Sequence, residues 1–451
     1  MSNPNIPVQH PADPALAARI DAVLEQTLAE QRLVGAVVLV ARGGRLVYHR
    51  AAGMADREAG RPMREDALFR LASVSKPIVS TAALVLLAQG RLALQQAVSH
   101  YLPHFRPRLA DGTAAAITVR QLMTHTAGLS YRFFQPEDGA YARAGVSDGM
   151  DDSAVSLRDN LARIAAAPLL YPPGSEWKYS IATDVLGAVI EQVSGLPLPQ
   201  AVAQLVTAPL GMLDTAFTAR DPQRLTAVYA NASPAPRRLA SPDWIPFLDG
   251  SAGFHLAPER ALDAAAYPSG GAGMVGSAGD LLRLLETLRQ GGAPLLPAAL
   301  VAQMSSNQIG ELPMAFWPGR GFGLGITVLK DPAAAQSPES VGTWRMGGTY
   351  GHSWFVDPQR ELSVVAFTNT ALEGMAGAFV DQLCHAVYGS TPAAAATNAT
   401  TTTTDADADA ATTATATTAT ATATTATATA TAATADTTAT TTTAAAAGAR
   451  P

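Results

Sequence analysis

Cysteine and lysine are both scarce in this chain of 451 residues, and each scarcity excludes something. Cys384 is the single cysteine, so no intramolecular disulfide can form. It lies in an apolar stretch, which predicts a buried packing residue in a C-terminal helix. No apolar run reaches eighteen residues, so the sequence predicts no membrane-spanning helix. Of the 31 basic residues, only Lys76, Lys178 and Lys330 are lysines. In a chain that otherwise uses arginine, a lysine can mark a role that arginine cannot fill, because only lysine gives up its proton readily.

The charge balance is mildly acidic, with a formal net charge of −6 and no basic stripe. We therefore expect neither nucleic acid nor an anionic membrane as a partner. The eight histidines are scattered, without a metal-ligand spacing, so no metal and no cofactor is expected. Residues 1–10 are polar and lack the layout of a signal peptide, which makes the cytoplasm the expected location. The oligomeric state stays open at this point.

Two regions of different composition divide the chain. Residues 391–451 consist almost wholly of threonine and alanine. Such a segment has too little apolar surface to offset the entropy of ordering, so we predict a disordered tail. Residues 1–390 have an ordinary globular composition and are predicted to form the catalytic domain.

The order of periodic segments in that domain predicts an α/β sandwich. The predicted helices and strands at its two ends are, in chain order, a helix at 14–33, a hairpin at 36–48, strands at 323–329, 353–358 and 362–367, and a helix at 376–388. Residues 92–290 are interpreted as helical segments separated by Pro and Gly loops. We therefore expect one antiparallel sheet flanked by helices, with an all-helical lobe at 92–290 inserted into it.

The segment Ser73-Val74-Ser75-Lys76 carries the strongest chemical signal. It is followed by an apolar helical run, which places Ser73 at a helix N-terminus and Lys76 on the same face. A buried lysine lowers its pKa readily and can then take the proton of a nearby hydroxyl. Ser73 is therefore the predicted nucleophile and Lys76 the predicted base. A second Ser-x-x-Lys match begins at Ser175, but it follows the turn sequence of residues 171–174, so we reject it.

Two further motifs complete the predicted site. Tyr179 precedes a predicted helix at 184–194, and it can serve as a phenolate or as a proton shuttle to the leaving group. Two adjacent glycines, Gly347 and Gly348, allow a strand to approach a bound acyl group closely. A backbone N–H in this strand motif, together with that of Ser73, would form a two-donor oxyanion hole.

In this order and spacing, the three motifs resemble the superfamily of class C β-lactamases, penicillin-binding proteins and family VIII carboxylesterases. The supporting segments are 122–129, 171–174, 209–212 and 270–275. The resemblance covers residues 15–388 and implies a β-lactamase/transpeptidase-like fold. It also implies Ser73 as nucleophile, Lys76 as base, Tyr179 as proton carrier, and the backbones of Ser73 and Thr349 as oxyanion donors.

Two departures from the β-lactamase pattern indicate the substrate class. Met346 stands where those enzymes have the lysine that attracts a β-lactam carboxylate. Ile181 stands where they have an asparagine that binds the acyl amide. We therefore predict a serine carboxylesterase acting on small neutral esters of short-chain acids through an acyl-enzyme. A β-lactamase or D-amino-acid peptidase is the first alternative, and an acyltransferase or non-catalytic scaffold is the second.

Other residues have weaker signals. Ser147 lies in a Gly-x-Ser-x-Gly match, but without the buried strand that such a nucleophile needs. Tyr131, Trp344 and Trp354 are candidates for the acyl pocket, while His125 is predicted to be structural.

Overall fold

The computed structural model describes residues 13–391 of the chain. The predicted disordered tail lies outside these residues, apart from Thr391. The helices of the described part are α1 Pro14–Ala29, α2 Ser75–Ala88, α3 Val98–Tyr101, α4 Val119–Met123, α5 Ala140–Ala144, α6 Leu157–Ala166, α7 Ala182–Ser194, α8 Leu198–Val202, α9 Ala278–Arg289, α10 Ala298–Met304, α11 Glu373–Ala376 and α12 Ala378–Tyr388. Its strands are β1 Gly35–Arg42, β2 Arg45–Asp56, β3 Arg61–Pro62, β4 Phe69–Arg70, β5 Tyr229–Ala230, β6 Arg237–Arg238, β7 Asp243–Ile245, β8 Phe254–Leu256, β9 Val275–Gly276, β10 Arg320–Phe322, β11 Thr327–Leu329, β12 Trp344–Gly348, β13 His352–Asp357, β14 Leu362–Thr368 and β15 Thr370–Ala371.

One antiparallel sheet of eight strands joins the two ends of the chain, as predicted. Its strand order is β10-β11-β12-β13-β14-β1-β2-β3. The central pairing places Ala36 opposite Thr368 and Val40 opposite Val364. The sheet therefore closes only when an N-terminal hairpin meets a C-terminal meander.

Helices cover both faces of this sheet. In β1, Ala36, Val38 and Val40 point to the face covered by α1 and α12. The intervening Val37 and Leu39 point to the opposite face, against which α9 packs. The unbroken apolar run from Ala36 to Ala41 in β1 matches a strand buried on both sides. The α/β sandwich is thus confirmed, and Cys384 is buried in α12, as predicted.

The predicted all-helical lobe is partly wrong. Helices α3 to α8 do lie within residues 92–290, but so do five short strands, β5 to β9. Strands of two or three residues are too short to show a period of two, which is why the sequence did not indicate them. Helix α9 also falls within 92–290, yet it packs on the main sheet.

The predicted strand at 323–329 is a strand only at its end: residues 323–326 form the turn of a hairpin, and β11 begins at Thr327. The N–H of Gly323 donates to the carbonyl of Ile326 at 2.8 Å, so the chain reverses direction between β10 and β11. The strand inferred from the Gly347-Gly348 motif is β12. Its start at Trp344 was not predicted, because glycines weaken the pattern that marks a strand.

Within residues 13–391, none of the helices combines the length and apolar character needed to cross a bilayer. The cytoplasmic location stays a prediction.

Candidate active site

Ser73 lies in a single 3-10 turn, Ala72–Val74, that leads directly into α2. Met274, just before β9, fixes this turn on both sides: the carbonyl of Met274 accepts from Leu71 N–H at 2.8 Å, and the N–H of Met274 donates to Ser75 Oγ at 3.2 Å. Ala72 is held at φ +45°, a conformation that costs an alanine on the order of 1 kcal/mol. The surrounding contacts therefore impose the shape of the turn that presents Ser73.

Lys76 lies one turn further on and is fully buried. Its Nζ donates to Ser73 Oγ at 3.1 Å and to the carbonyl oxygen of Gly271 at 2.9 Å. Burial penalises the charged ammonium and lowers the pKa of Lys76 to about 7. As a neutral amine, Nζ keeps an N–H for Gly271 and turns a lone pair to Ser73, which is the arrangement of a general base.

Tyr179 lies just before α7, and its hydroxyl interacts with the side chain of Ser73. Lys76 Nζ lies 4.6 Å from the centre of the Tyr179 ring. Burial raises the pKa of Tyr179 above its ordinary value, although the interaction with Ser73 opposes this. The phenol therefore keeps its proton at neutral pH, and of the two roles considered, the structure favours proton shuttle over phenolate.

Two buried carboxyl groups near Lys76 were not anticipated. Asp184, in the first turn of α7, accepts from the N–H of Gly271 at 3.2 Å. Asp148 accepts from the N–H groups of Arg132 and Phe133 at 2.8 and 3.0 Å. Burial raises the pKa of both, for Asp148 to about 7. Their charge acts against the effect of burial on Lys76, so they keep its pKa from falling further.

The glycine-containing strand contacts the nucleophile turn directly. A Cβ atom added to Gly348 would lie only 2.4 Å from the carbonyl oxygen of Leu71. No side chain fits there, so the backbone of β12 can approach the turn of Ser73. Thr349 follows at the end of β12 and lines the same cavity as Ser73.

This catalytic cavity has a volume of about 320 Å³. It brings together the predicted residues Ser73, Tyr179, Met346, Gly347 and Thr349. One wall is aromatic and was not predicted; its residues are Phe133, Phe134, Phe247, Phe254, Phe316 and Trp317. These side chains come from loops, a 3-10 turn and the short strand β8, none long enough to show a periodicity, so the only available signal was the concentration of phenylalanines in a chain with few aromatics.

Some candidate residues do not reach the cavity surface. Ile181 is fully buried at the start of α7. Tyr131 is also buried; its ring lies 5.2 Å from Lys76 Nζ and stacks on Phe133, which does line the cavity. Trp344 and Trp354 are buried in the sheet. These residues are packing residues and do not line the cavity.

The rival serines have structural partners. Ser147 donates to Asp151 at 2.7 Å and is buried in a loop, with no strand before it. Ser175 donates to the carbonyl of Pro172, as expected of a turn residue. His125 is buried, accepts from Ser180 N–H at 3.2 Å, and has a pKa well below its usual value because of burial, which fits a structural role.

Charged side chains also line the cavity. Arg320 donates to the buried Glu339 at 2.9 Å, and Arg345 lies 3.4 Å from the other oxygen of the same carboxylate. Asp381 of α12 faces the cavity beside them. Two guanidinium groups therefore share one buried carboxylate, with a second acid close by.

Among residues 13–391, no group of three or more His, Cys, Asp or Glu side chains is placed to hold a metal ion.

Comparison with known proteins adds three findings to this geometry. The sequence profile of the Beta-lactamase family matches residues 20–386. The esterase EstB of Burkholderia gladioli is 51% identical over 375 residues, which span 83% of this chain and 95% of that one. A monacolin J acid methylbutanoyltransferase of Aspergillus terreus is 26% identical over 396 residues, spanning 79% and 91%.

Among solved structures, that of EstCE1, described as a hydrolase with promiscuous acyltransferase activity, superposes with a TM-score of 0.82 at 48% sequence identity. The match covers 84% of this chain and all of that one.

Proposed function

The chain belongs to the Beta-lactamase family and is a serine carboxylesterase, and we propose that Ser73 is its nucleophile, with Lys76 as base. The activity rests on the 51% identity to an esterase over most of both chains. One observation supports the catalytic roles above all others: a fully buried lysine amine lies 3.1 Å from Ser73 Oγ.

The reaction begins with proton transfer from Ser73 Oγ to the neutral Nζ of Lys76. Oγ then attacks the ester carbonyl carbon, and the backbone N–H groups of Ser73 and Thr349 donate to the oxyanion. The bond from the acyl carbon to the alcohol oxygen breaks, and the departing oxygen takes a proton from Tyr179. Tyr179 is in turn reprotonated from Lys76. Water repeats the sequence on the acyl-enzyme and releases the acid.

The substrates we propose are small neutral esters with short acyl chains. The cavity volume of about 320 Å³ lies at the lower end of the range for small-molecule sites. Its aromatic wall suits an apolar acyl chain. Met346 also lines the cavity, so a neutral thioether stands where the β-lactamase pattern has the cation of a lysine.

Acyl transfer to an alcohol is the second candidate function. It needs only that an alcohol replace water in the second half of the reaction. The promiscuous acyltransferase activity in the description of EstCE1, which is 48% identical to this chain, favours it over a β-lactamase or a scaffold.

Trapping the acyl-enzyme tests the proposal. The wild-type enzyme is mixed with p-nitrophenyl butyrate, quenched in acid, and digested for mass spectrometry. We expect one butyryl group on the peptide that contains Ser73. Ser73→Ala should lose both the label and turnover, while the matched variants Ser147→Ala and Ser175→Ala should keep most activity. A butyryl group on another serine would refute the proposed nucleophile, and failure of a fluorophosphonate to label Ser73 would favour the scaffold.

A further inference from the structure

A second cavity, of about 590 Å³, adjoins the catalytic cavity. We call it the outer chamber; its distinctive lining residues are Leu170, Trp177, Leu248, Pro313 and Ala315. Three residues line both cavities: Tyr179, Phe134 and Phe316. The outer chamber therefore shares a wall with the catalytic cavity, and that wall includes the proposed proton shuttle.

Two stacked phenylalanines form the rest of that wall. The rings of Phe134 and Phe316 are nearly parallel, at 8°, with centroids 6.0 Å apart. Phe134 also packs against Phe133 and Phe247, with centroids 4.6 and 5.7 Å away. Phe316 is 59% exposed and lies in a loop before β10. We call the Phe134–Phe316 pair the partition. The ring of Phe134 is held by neighbouring rings, whereas the ring of Phe316 is exposed to solvent.

The lining of the outer chamber is mainly apolar. Its charged residues, Glu176 and Lys178, lie 3.7 Å apart, and each side chain is about half exposed. They neutralise each other at the rim, so the interior offers leucine, proline and aromatic surface. A neutral apolar group fits this surface, because burying it there costs no unpaired charge.

The position of Tyr179 indicates which part of an ester the outer chamber receives. Ser73 and Thr349 line only the catalytic cavity, so the acyl carbon and its oxyanion must lie there. Tyr179 delivers a proton to the departing alcohol oxygen and lines both cavities. Tyr179 therefore places the departing alcohol on the side of the catalytic cavity that adjoins the outer chamber.

We propose that the outer chamber binds the alcohol part of the ester, and that this part is a bulky apolar alcohol. The inference rests on the proposed function and extends it to the leaving group. When the bond between the acyl carbon and the alcohol oxygen breaks, that oxygen takes the proton of Tyr179 and the free alcohol leaves through the chamber. In acyl transfer an acceptor alcohol occupies the same place, and its hydroxyl proton returns through Tyr179 to Lys76 as its oxygen bonds to the acyl carbon. The bond from the acyl carbon to Ser73 Oγ then breaks, and Oγ takes the proton back from Lys76.

Filling the outer chamber tests this proposal. Leu170→Trp places bulk in the chamber, and Leu262→Trp is its matched control, since both leucines are 46% exposed and Leu262 lines neither cavity. The substrates are 1-naphthylmethyl butyrate and ethyl butyrate, which share their acyl group. We expect Leu170→Trp to lower kcat/KM for the naphthylmethyl ester about tenfold or more and to leave the ethyl ester within about twofold.

Equal effects of Leu170→Trp on the two esters, or no effect on either, would overturn the proposal. Failure of the wild-type enzyme to cleave either ester would instead overturn the esterase assignment, so the two failures are distinguishable.

Opening the partition provides a second, independent measurement. Phe316→Ala joins the two cavities, so a long acyl chain can extend from one into the other. We expect the ratio of kcat/KM for ethyl octanoate to that for ethyl butyrate to rise about tenfold. An unchanged ratio would show that the Phe134–Phe316 pair does not separate the two parts of the substrate.

Discussion

Gly348 lies so close to Leu71 that an added Cβ would be 2.4 Å from the Leu71 carbonyl oxygen. Because this oxygen belongs to the backbone of the nucleophile turn, it cannot rotate away as a flexible side chain would. Gly348→Ala must therefore displace either β12 or the turn that carries Ser73. A displacement of about 1 Å at a catalytic centre can lower the rate about a hundredfold.

We expect Gly348→Ala to lose roughly that factor in kcat while the protein still folds. The measurement is kcat for p-nitrophenyl butyrate, together with the melting temperature. Gly279→Ala is the control, since no atom lies within 4 Å of a Cβ at that exposed position in α9. Full activity in Gly348→Ala would show that the close approach of β12 is not needed.

Lys76→Arg is expected to lower kcat/KM at least about a hundredfold. A guanidinium keeps its charge at any pH at which the protein is folded, so it cannot take the proton of Ser73. Lys178→Arg is the matched control, because Lys178 belongs to the rejected Ser-x-x-Lys match and is half exposed. Activity near the wild-type value in Lys76→Arg would remove Lys76 from the mechanism.

The pH dependence of kcat/KM should report the deprotonation of Lys76. Burial lowers its pKa to about 7, and only the neutral amine accepts a proton, so activity should fall as the pH drops below about 7. The titratable groups facing Lys76 from neighbouring elements are Asp184, Asp148, Tyr131, Tyr179 and His125. Asp148, whose pKa is also near 7, loses its charge over the same pH range, which lowers the pKa of Lys76 and should make the fall more gradual. A flat profile from about pH 5 to pH 9 would contradict a lysine base.

Esters should be cleaved better than β-lactams. Without a lysine at position 346, a β-lactam carboxylate loses a charge-assisted contact of about 1.5–3 kcal/mol, or roughly ten- to a hundredfold in binding. Arg320 and Arg345 line the cavity, but they share Glu339 and have Asp381 nearby. We therefore expect kcat/KM for nitrocefin to be at least about tenfold below that for p-nitrophenyl butyrate.

Comparable rates on the two substrates would contradict this prediction. Arg345→Gln would then show whether that arginine binds the carboxylate, since its loss should affect nitrocefin but not the neutral ester.

The parts of the fold that were predicted from sequence are those with strong local patterns. The β1–β2 hairpin has a continuous apolar strand followed by turn glycines, and α2 and α12 have long apolar helical faces. The turn between β10 and β11 was interpreted as part of a strand because its residues include apolar ones. Pairing with distant segments, rather than local propensity, decides such cases.

The site residues that were predicted from sequence are likewise those with a local pattern. Ser73 and Lys76 are one helical turn apart, so their relationship is visible in four residues of sequence. Tyr131 and Ile181 were placed near the substrate by motif alone, and packing buries both. Phe247 and Phe316 reach the cavity from loops far apart in sequence, and only the tertiary structure brings them together.

The pairing of Ala36 with Thr368 has a consequence for synthesis of the protein. The hairpin of β1 and β2 emerges from the ribosome early, but β14, its neighbour in the sheet, is made more than three hundred residues later. At about 5–20 residues per second, that delay amounts to tens of seconds. During this interval one edge of β1, apolar on both faces, has no strand beside it. The nascent chain must therefore keep this apolar strand from pairing with other chains until almost the whole catalytic domain has been translated.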